Sequence, residues 1–367
     1  MLFDCTFVRN KKHNMHYPIN RNFLFLSLFI FSLTFIHNST FAQEKKIKVT
    51  CIAFYNLENL YDTIDSPDTD DAEFLPTGPN TWNTEKYMLK LDHMSEVISQ
   101  IGDEQLKGGP AIIGFSEIEN RGVLEDLINT PRLKKSGYAI VHYDSPDLRG
   151  VDVALIYKPS VFKVEKSYPV RLTLAGDTAF RSRDQLVVKG LLDGEPLTII
   201  VNHWPSRRGG EARSAPKRAA AANLSRAIAD SICNVTPNSK IIVMGDLNDD
   251  PIDKSLVKVF KAKGKAENLA PCDFFNPGYK LFKDGIGSLA YRDSWNLFDQ
   301  TLISAGLINN VNGGWKFAVA KVYNKNYLTQ KDGAFKGYPF RTMVGGVFIG
   351  GYSDHFPVYV FLTKEVK

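Results

Sequence analysis

The sequence predicts an α/β fold: two mixed β-sheets packed on one another and flanked by helices, an α/β sandwich. Three observations carry this expectation. Short β-rich runs recur along the chain, and several are continuous apolar runs of the kind covered on both faces. Helical patterns lie between some of them. No repeat, low-complexity tract or convincing linker divides the chain.

The first run is Ile47–Tyr55. Over Lys86–Gln100, Met88, Leu91, Met94, Val97 and Ile98, with Ile101 just beyond, recur at helical spacing. Ala111–Ser116, Val151–Tyr157, Leu186–Leu191 and Leu197–Asn202 read as strands. Ser214–Ile232 opens with Ser as N-cap and Pro216 in the first turn, then runs through alanine, which predicts a second helix. Lys240–Gly245, Gln300–Ser304 and Val358–Leu362 complete the strands. Two long stretches, Gly264–Asp293 and Asn309–Gly351, read as irregular. The second interleaves Lys316, Lys321, Lys325, Lys331, Lys336 and Arg341 with Trp315, Tyr323, Tyr327, Tyr338 and Phe340. That mixture suits a phosphate backbone with stackable bases, or a solvated β-hairpin excursion.

Residues 1–42 read as a cleavable leader. Phe23–Ile36 is mostly apolar, Arg9, Lys11, Lys12 and Arg21 precede it, and Thr40-Phe41-Ala42 offers small residues for cleavage. Met15 is an alternative start. The other reading is an uncleaved anchor, for which the run is short against a span of about 20 residues. The expected location is therefore exported, periplasmic or extracellular. The leader holds four Lys/Arg and one Asp, a net +3, so the +5 of the whole chain falls to +2. A net charge that small does not by itself mark a nucleic-acid binder. Taking 42 residues from 367 leaves 325, expected to form one domain over 43–367. Cys51, Cys233 and Cys272 show neither a disulfide framework nor metal spacing, and are expected as free, mostly buried thiols.

Five strand ends carry unusual polar residues. They are Asn56 after Phe54-Tyr55, Glu117 after Phe115-Ser116, His203 in Asn-His-Trp-Pro, Asp246 and Asn248 in Gly-Asp-Leu-Asn, and Asp354-His355 ahead of the last run. Charged groups at the ends of buried strands are costly unless paired or metal-bound. Asn56, Glu117, Asp246, Asn248 and Asp354 offer only oxygen, which suits Mg²⁺ or Mn²⁺, with Ca²⁺ also possible, rather than zinc. His203 and His355 lack an HExxH or Cys partner, which favours acid/base or phosphate-contact roles. His93 and His142 read as structural.

Taken in order, these motifs resemble the endonuclease/exonuclease/phosphatase superfamily, which includes pancreatic-type deoxyribonuclease, abasic-site endonucleases, neutral sphingomyelinases and inositol polyphosphate 5-phosphatases. The matching segments are Phe-Tyr-Asn-Leu-Glu-Asn at Asn56, Ser-Glu-Ile-Glu-Asn at Glu117, Asn-His-Trp-Pro-Ser at His203, Gly-Asp-Leu-Asn at Asp246, Asp299 before Gln-Thr-Leu-Ile, and Ser-Asp-His-Phe-Pro at Asp354. The resemblance spans about Lys46 to Thr363. It implies a four-layer α/β sandwich with a site at one edge of two packed sheets. It also implies Glu117 as principal metal ligand with Asn56 and Asp354 nearby, and Asp246 and Asn248 placing water and a phosphate oxygen. His355 would contact phosphate or act as acid/base, oriented by Asp299, with His203 opposite.

The phosphate-contacting tyrosine of abasic-site endonucleases has no assigned counterpart. Arg149 and Arg183 are the candidates for that contact, and Arg207, beside Arg208 on a Gly-tipped loop, is the candidate for a second phosphate. The resemblance implies a metal-dependent phosphoesterase. The first expectation is a secreted nuclease acting on nucleic acid. The second is a phosphatase or phosphodiesterase on a phosphorylated small molecule or lipid headgroup, such as an inositol phosphate or sphingomyelin. A non-catalytic binding module is disfavoured, because no matched catalytic position is substituted. No obligate protein partner is evident.

Overall fold

In the computed structural model, residues 46–366 are described, apart from Asp68 and Asn312. The expected leader lies outside them. Among the described residues, seventeen strands are numbered in chain order. The first sheet uses β1 (Lys46–Leu60), β2 (Ile112–Ile118), β3 (Ala139–His142), β4 (Asp152–Tyr157), β14 (Lys316–Val322) and β17 (Val358–Val366), in the order β14-β17-β1-β2-β4-β3. The second uses β5 (Phe162–Val170), β6 (Gln185–Leu192), β7 (Glu195–His203), β8 (Ile241–Asp246), β9 (Ala262–Lys263), β10 (Phe274–Phe275) and β13 (Asp299–Ser304), in the order β5-β6-β7-β8-β13-β10-β9. Two hairpins, β11 (Leu289–Tyr291) with β12 (Ser294–Asn296) and β15 (Met343–Val344) with β16 (Val347–Phe348), stand apart. The helices used below are α1 (Thr84–Gln100), α2 (Arg121–Asn129) and α3 (Glu211–Cys233).

Strand periodicity builds the layers. On β1, Cys51, Ala53 and Tyr55 pack under the residues of α1 and α2, whereas Ile52 and Phe54 face the second sheet. On β8, Ile242 and Met244 meet the first sheet, whereas Ile241 and Val243 lie under α3 against Ala221, Ala222 and Ala229. Helix, sheet, sheet and helix thus form four layers around three apolar seams. The sheets approach closely at Gly114, where an added Cβ would stand 2.8 Å from Met244 Sδ and 3.1 Å from Val201 Cγ1.

Both sheets are mixed, with one parallel pair at the heart of each: β1 with β2, joined through α1, and β7 with β8, joined through α3. Parallel strands need such a crossover, and it leaves their carboxyl ends side by side. His203 is therefore the register partner of Asp246, and antiparallel β13 sets Asp299 opposite Asp246 from the other side. Antiparallel β17 starts against Phe54, which delivers Asp354 and His355 to the same end.

Three expectations change. Gly210, not Ser214, occupies the N-cap position of α3; Ser214 lies inside the helix, its hydroxyl donating to Gly210 O, and Pro216 falls in the second turn. Met88 is exposed rather than on the buried stripe of α1. The stretch 309–351 is not one irregular excursion: it contributes edge strand β14, and Trp315 and Tyr323 are core residues. Cys51, Cys233 and Cys272 are free thiols. Among the described residues no helix is long and apolar enough to cross a membrane.

Because overpacking a seam forces backbone shifts, Gly114→Val is expected to destabilise the fold by about 1–3 kcal/mol. The reading is the urea midpoint; an unchanged midpoint would refute the close approach at Gly114.

Candidate active site

Backbone irregularity aims the first two acidic side chains. β1 and β2 lose register between Asn56 and Leu60, and β2 and β4 lose it between Ser116 and Ile118. The bulged residues Glu58, Asn59 and Glu117 have φ of 48°, 55° and 59°. Non-glycine residues adopt this left-handed region at a conformational penalty, and it often marks a site whose surroundings enforce it. Asn248, in the turn after β8, is held likewise at φ 51°. Its backbone N–H donates to Asp246 Oδ1 at 3.0 Å and its Nδ2 to Trp204 O at 3.0 Å.

The two sheets are tied together at this end by polar pairs. Asn56 Nδ2 donates to Asp246 Oδ2 at 3.1 Å, and Asn56 Oδ1 accepts the Glu58 N–H at 2.9 Å. His355 Nδ1 lies 2.6 Å from Asp299 Oδ2, which also accepts from Ser288 Oγ at 2.5 Å. Ser353 Oγ donates to Asn56 O and accepts the His355 N–H, fixing the turn that carries the imidazole. His203 Nε2 lies 3.6 Å from Asp246 Oδ2 and 3.8 Å from Glu117 Oε1. Its Nδ1 is buried without a partner among the described residues, as is Asp299 Oδ1.

The two imidazoles are driven apart. Burial, reinforced by Arg183 and Arg149, holds His203 well below the usual imidazole value. Burial also opposes the charge on His355, but the Asp299 carboxylate, with Asp246 and Asp354 near, raises it well above that value. Burial pushes Asp246 up to about 7, Asp299 and Glu117 adding to the rise and His355 opposing it. A neutral and a protonated imidazole thus share one site, an arrangement that separates acid from base.

A cleft of about 700 Å³ opens over these groups and is lined by Glu117, Arg149, Arg183, His203, Asp246, Asn248 and His355. Asp299 lies behind His355, and Asn56 behind Asp246. Asp147 organises the arginines: its carboxylate takes Arg183 Nη1 at 3.0 Å and the Arg149 backbone N–H at 3.1 Å. Arg183 Nη2 donates to Trp204 O at 2.7 Å, so its charge underlies the wall rather than hanging free. Arg207 departs from expectation. It is drawn away by Asp249 at 3.2 Å, Asp253 at 2.8 Å and Glu211 at 3.0 Å, and stacks over Phe298. Neighbouring Arg208 lines the cleft in its place, with Arg181, Arg213 and Lys217.

Asp354 is also engaged differently. Its Oδ2 accepts Arg341 Nη2 at 2.9 Å, while Arg341 Nε donates to Glu58 Oε1 at 2.9 Å. Sequence reasoning gave no role to Glu58 or Asp147, and read Arg341 only as one of the cations interleaved with aromatics over 309–351. Glu58 stood inside the Asn56 motif and was findable there. His142 and His93 are structural: the first pairs with Asp152 at 2.9 Å, the second meets Gly351 O at 3.0 Å. Among the described residues, ligand-type atoms gather within 4.8 Å at two places: His142, Asp144 and Asp152 beside β4, and, at this site and wholly buried, Asp246, Asp299 and His355. Glu117 and Asp246 in the cleft, with the orphaned Asp299 Oδ1 behind them, are an oxygen-rich, acidic set of hard donors of the kind that suits a divalent cation, while the protonated His355 is their partner and not a donor.

Residues 51–364 match the Endonuclease/Exonuclease/phosphatase family. The chain belongs to that family. Solved structures agree in fold. A humanized D. rerio TDP2 carrying 14 mutations is 12% identical, with a TM-score of 0.53 over 86% of this chain and 98% of that one. The D. rerio TDP2 complexed with a single-strand DNA product gives 12%, 0.52, 86% and 99%. A Bacteroides thetaiotaomicron mannosyl-6-phosphatase gives 16%, 0.50, 85% and 99%. A search of curated proteins finds no match. Members of this family hydrolyse phosphoester bonds, so the chain is a phosphoesterase of the endonuclease/exonuclease/phosphatase type.

Removing the Asp299 carboxylate takes away the strongest opposition to burial on His355 and leaves only Asp246 and Asp354. In Asp299→Asn the imidazole is expected to titrate lower than in the wild-type protein, whose ring stays protonated above the ordinary value of about 6.5. Because the wild-type folded value exceeds the unfolded one, the pair stabilises the fold fully below about pH 6.5 and less as pH rises through the folded value. Imidazole NMR titration reads the difference; equal titration in both proteins would remove Asp299 from this role.

Proposed function

We propose that this chain is an exported, divalent-cation-dependent nuclease that hydrolyses phosphodiester bonds of DNA or RNA. The observation that carries the reading is the cleft: an acid/base floor of His203, Asp246 and His355 beneath a rim of Arg149, Arg181, Arg208, Arg213 and Lys217. A cation-lined groove of that kind follows a polyanionic backbone. The support for export is the leader pattern of residues 1–42, with 43–367 acting as one domain.

Glu117, Asn56 and Asp354 are the residues proposed to hold the cation, Mg²⁺ or Mn²⁺, with Ca²⁺ as a weaker alternative. When bound it would neutralise charge on the phosphoryl and leaving oxygens. The chain's own groups do the rest. Water attacks phosphorus in line, the new P–O bond forming as the ester P–O bond breaks. Asp246 Oδ2 takes a proton from the water. Asn248 sets the loop that places the water, through its bonds to Asp246 Oδ1 and Trp204 O. With Nδ1 committed to Asp299, His355 presents Nε2–H to a phosphoryl oxygen, where negative charge grows. His203, kept neutral, stands beside Asp246 to relay that proton toward the leaving oxygen, which departs as a hydroxyl. Arg149 and Arg183 supply positive potential beside the phosphate.

The second reading is a phosphatase or phosphodiesterase acting on a small phosphorylated molecule or a lipid headgroup. It is favoured by the cleft volume of about 700 Å³, which is within the range that encloses a small molecule.

Asp246→Ala and His355→Ala are each expected to lower turnover by about 10²–10⁴-fold with the fold retained. EDTA should abolish activity, and Mg²⁺ or Mn²⁺ should restore it. Near-normal turnover in either variant, or activity without metal, would sink the mechanism. Plasmid and oligonucleotide cleavage, assayed beside phosphosugars, inositol phosphates and sphingomyelin, decides the substrate. Hydrolysis confined to the small or lipid substrates would select the second reading.

A further inference from the structure

On the far side of Asp354 and Arg341 lies a second cleft of about 760 Å³, unlike the first in character. Its walls are Tyr291, Phe335, Tyr338, Pro339, Val344 and Ile349. Tyr291 is 61% and Phe335 50% exposed, and neither joins any of the three apolar cores. Packing therefore does not account for them. Asp354 lines this cleft and the next residue, His355, lines the first, and an exposed apolar patch placed beside a catalytic cleft marks a binding surface.

The aromatic side chains form a continuous ladder that starts at the chemistry. Phe356 follows His355 in sequence and stacks on Trp295, with centroids 5.9 Å apart and planes inclined by 16°. Trp295 meets Tyr338 at 6.3 Å, and Tyr338 meets Phe335 at 5.7 Å. The ladder is held in place. The Tyr338 hydroxyl donates to Asp293 Oδ1 and accepts the Asp293 N–H, both at 2.6 Å. Arg292 and Asp293, at the β11–β12 tip, are held at φ 49° and 60°. Arg292 lies 5.2 Å over the Tyr291 ring, which fixes that face as well. A rigid, open aromatic surface loses little entropy when a flat ring lies against it.

We propose that this cleft is a stacking subsite for the nucleobase next to the scissile phosphate, on the side of Asp354 away from the arginine-lined cleft. The proposal rests on the nuclease reading. Apolar walls with Asp293, Asp332 and Asp354 among their polar neighbours do not suit another phosphate, and because Asp354 lines this cleft and His355 the first, the occupant is a group attached to the phosphate being cut. The edges of Gln330, Asp332 and Arg292 are placed to meet the polar rim of a base. One arm of the site thus reads charge and the other reads a ring.

The test uses the full mature chain with Mg²⁺ and labelled single-stranded oligonucleotides carrying one abasic residue at successive positions about a defined cut. With the wild-type protein, loss of one particular base adjoining the cut bond should lower kcat/KM by about fivefold to a hundredfold, the range for one stacked base. In Phe335→Ala and Tyr291→Ala, both at exposed positions where folding is not at stake, the intact-to-abasic ratio should fall towards one. An unchanged ratio in both variants, or no abasic effect in the wild-type protein, overturns the subsite while leaving the nuclease reading intact. Failure to cut any oligonucleotide, with hydrolysis of a phosphomonoester retained, overturns the nuclease reading and the subsite with it.

Discussion

Everything at the active end depends on buried charge in one sheet being answered from the other. Asp246 and Asp299 end and begin adjacent strands of the second sheet, both nearly without solvent. Their partners, Asn56 and His355, come from the first. A buried carboxylate left alone is costly, so the two sheets must meet in one register for the site to exist at all. The close approach at Gly114 allows that meeting, and the parallel pairs β1–β2 and β7–β8 bring the ends that carry the polar groups to the same place. Catalytic geometry and sheet packing are thus one constraint.

The same demand explains where the backbone departs from regularity. Left-handed conformations at Glu58, Asn59, Glu117 and Asn248 fall on strand ends beside the cleft. A regular strand would turn Glu117 to one face of the sheet; the bulge at Ser116–Ile118 lets it look along the strand axis, into the cleft. The penalty is offset by local bonds: Asn59 N–H to Glu117 Oε2, Glu58 N–H to Asn56 Oδ1, and Asn248 N–H to Asp246 Oδ1. Three of the four strained residues, Glu58, Asn59 and Asn248, are thus held through the backbone N–H by a side chain of the site.

This division explains what could be read from the sequence. Strands such as Ile112–Ile118 and Ile241–Asp246 are covered on both faces, so unbroken apolar runs betray them, and a polar residue at the end of such a run stands out. Edge strands β5 and β14 gave no such signal, because one face is solvated and Lys163, Glu165 and Lys166 interrupt the pattern. Charged partners across long loops left no trace either. Arg207 and Arg208 look equivalent on a Gly-tipped loop, yet the folded turn Asp249–Asp253 captures the first and leaves the second to the cleft. Asp147, which holds two arginines in the wall, sits in an unremarkable loop between β3 and β4. Aromatic residues between lysines at 315–340 divided by burial: Trp315 and Tyr323 joined cores, while Tyr338 remained at the surface ladder.

Arg341 is the hinge between the two characters of the site. Its guanidinium reaches Glu58 and Asp354 together, and its side chain borders the aromatic cleft. Burial and carboxylate crowding push Glu58 up to about 7, with Asp354 as the chief neighbouring charge and Lys90 and Arg341 opposing the rise. Two cations of the chain's own therefore temper an acidic wall. That temperance matters for chemistry on a phosphoester: an untempered wall of carboxylates would repel the phosphate that has to lie against it. The protein settles the conflict by giving Asp354 a guanidinium partner on one oxygen and leaving the other, 4.0 Å from His355 Nε2, turned toward the reacting centre.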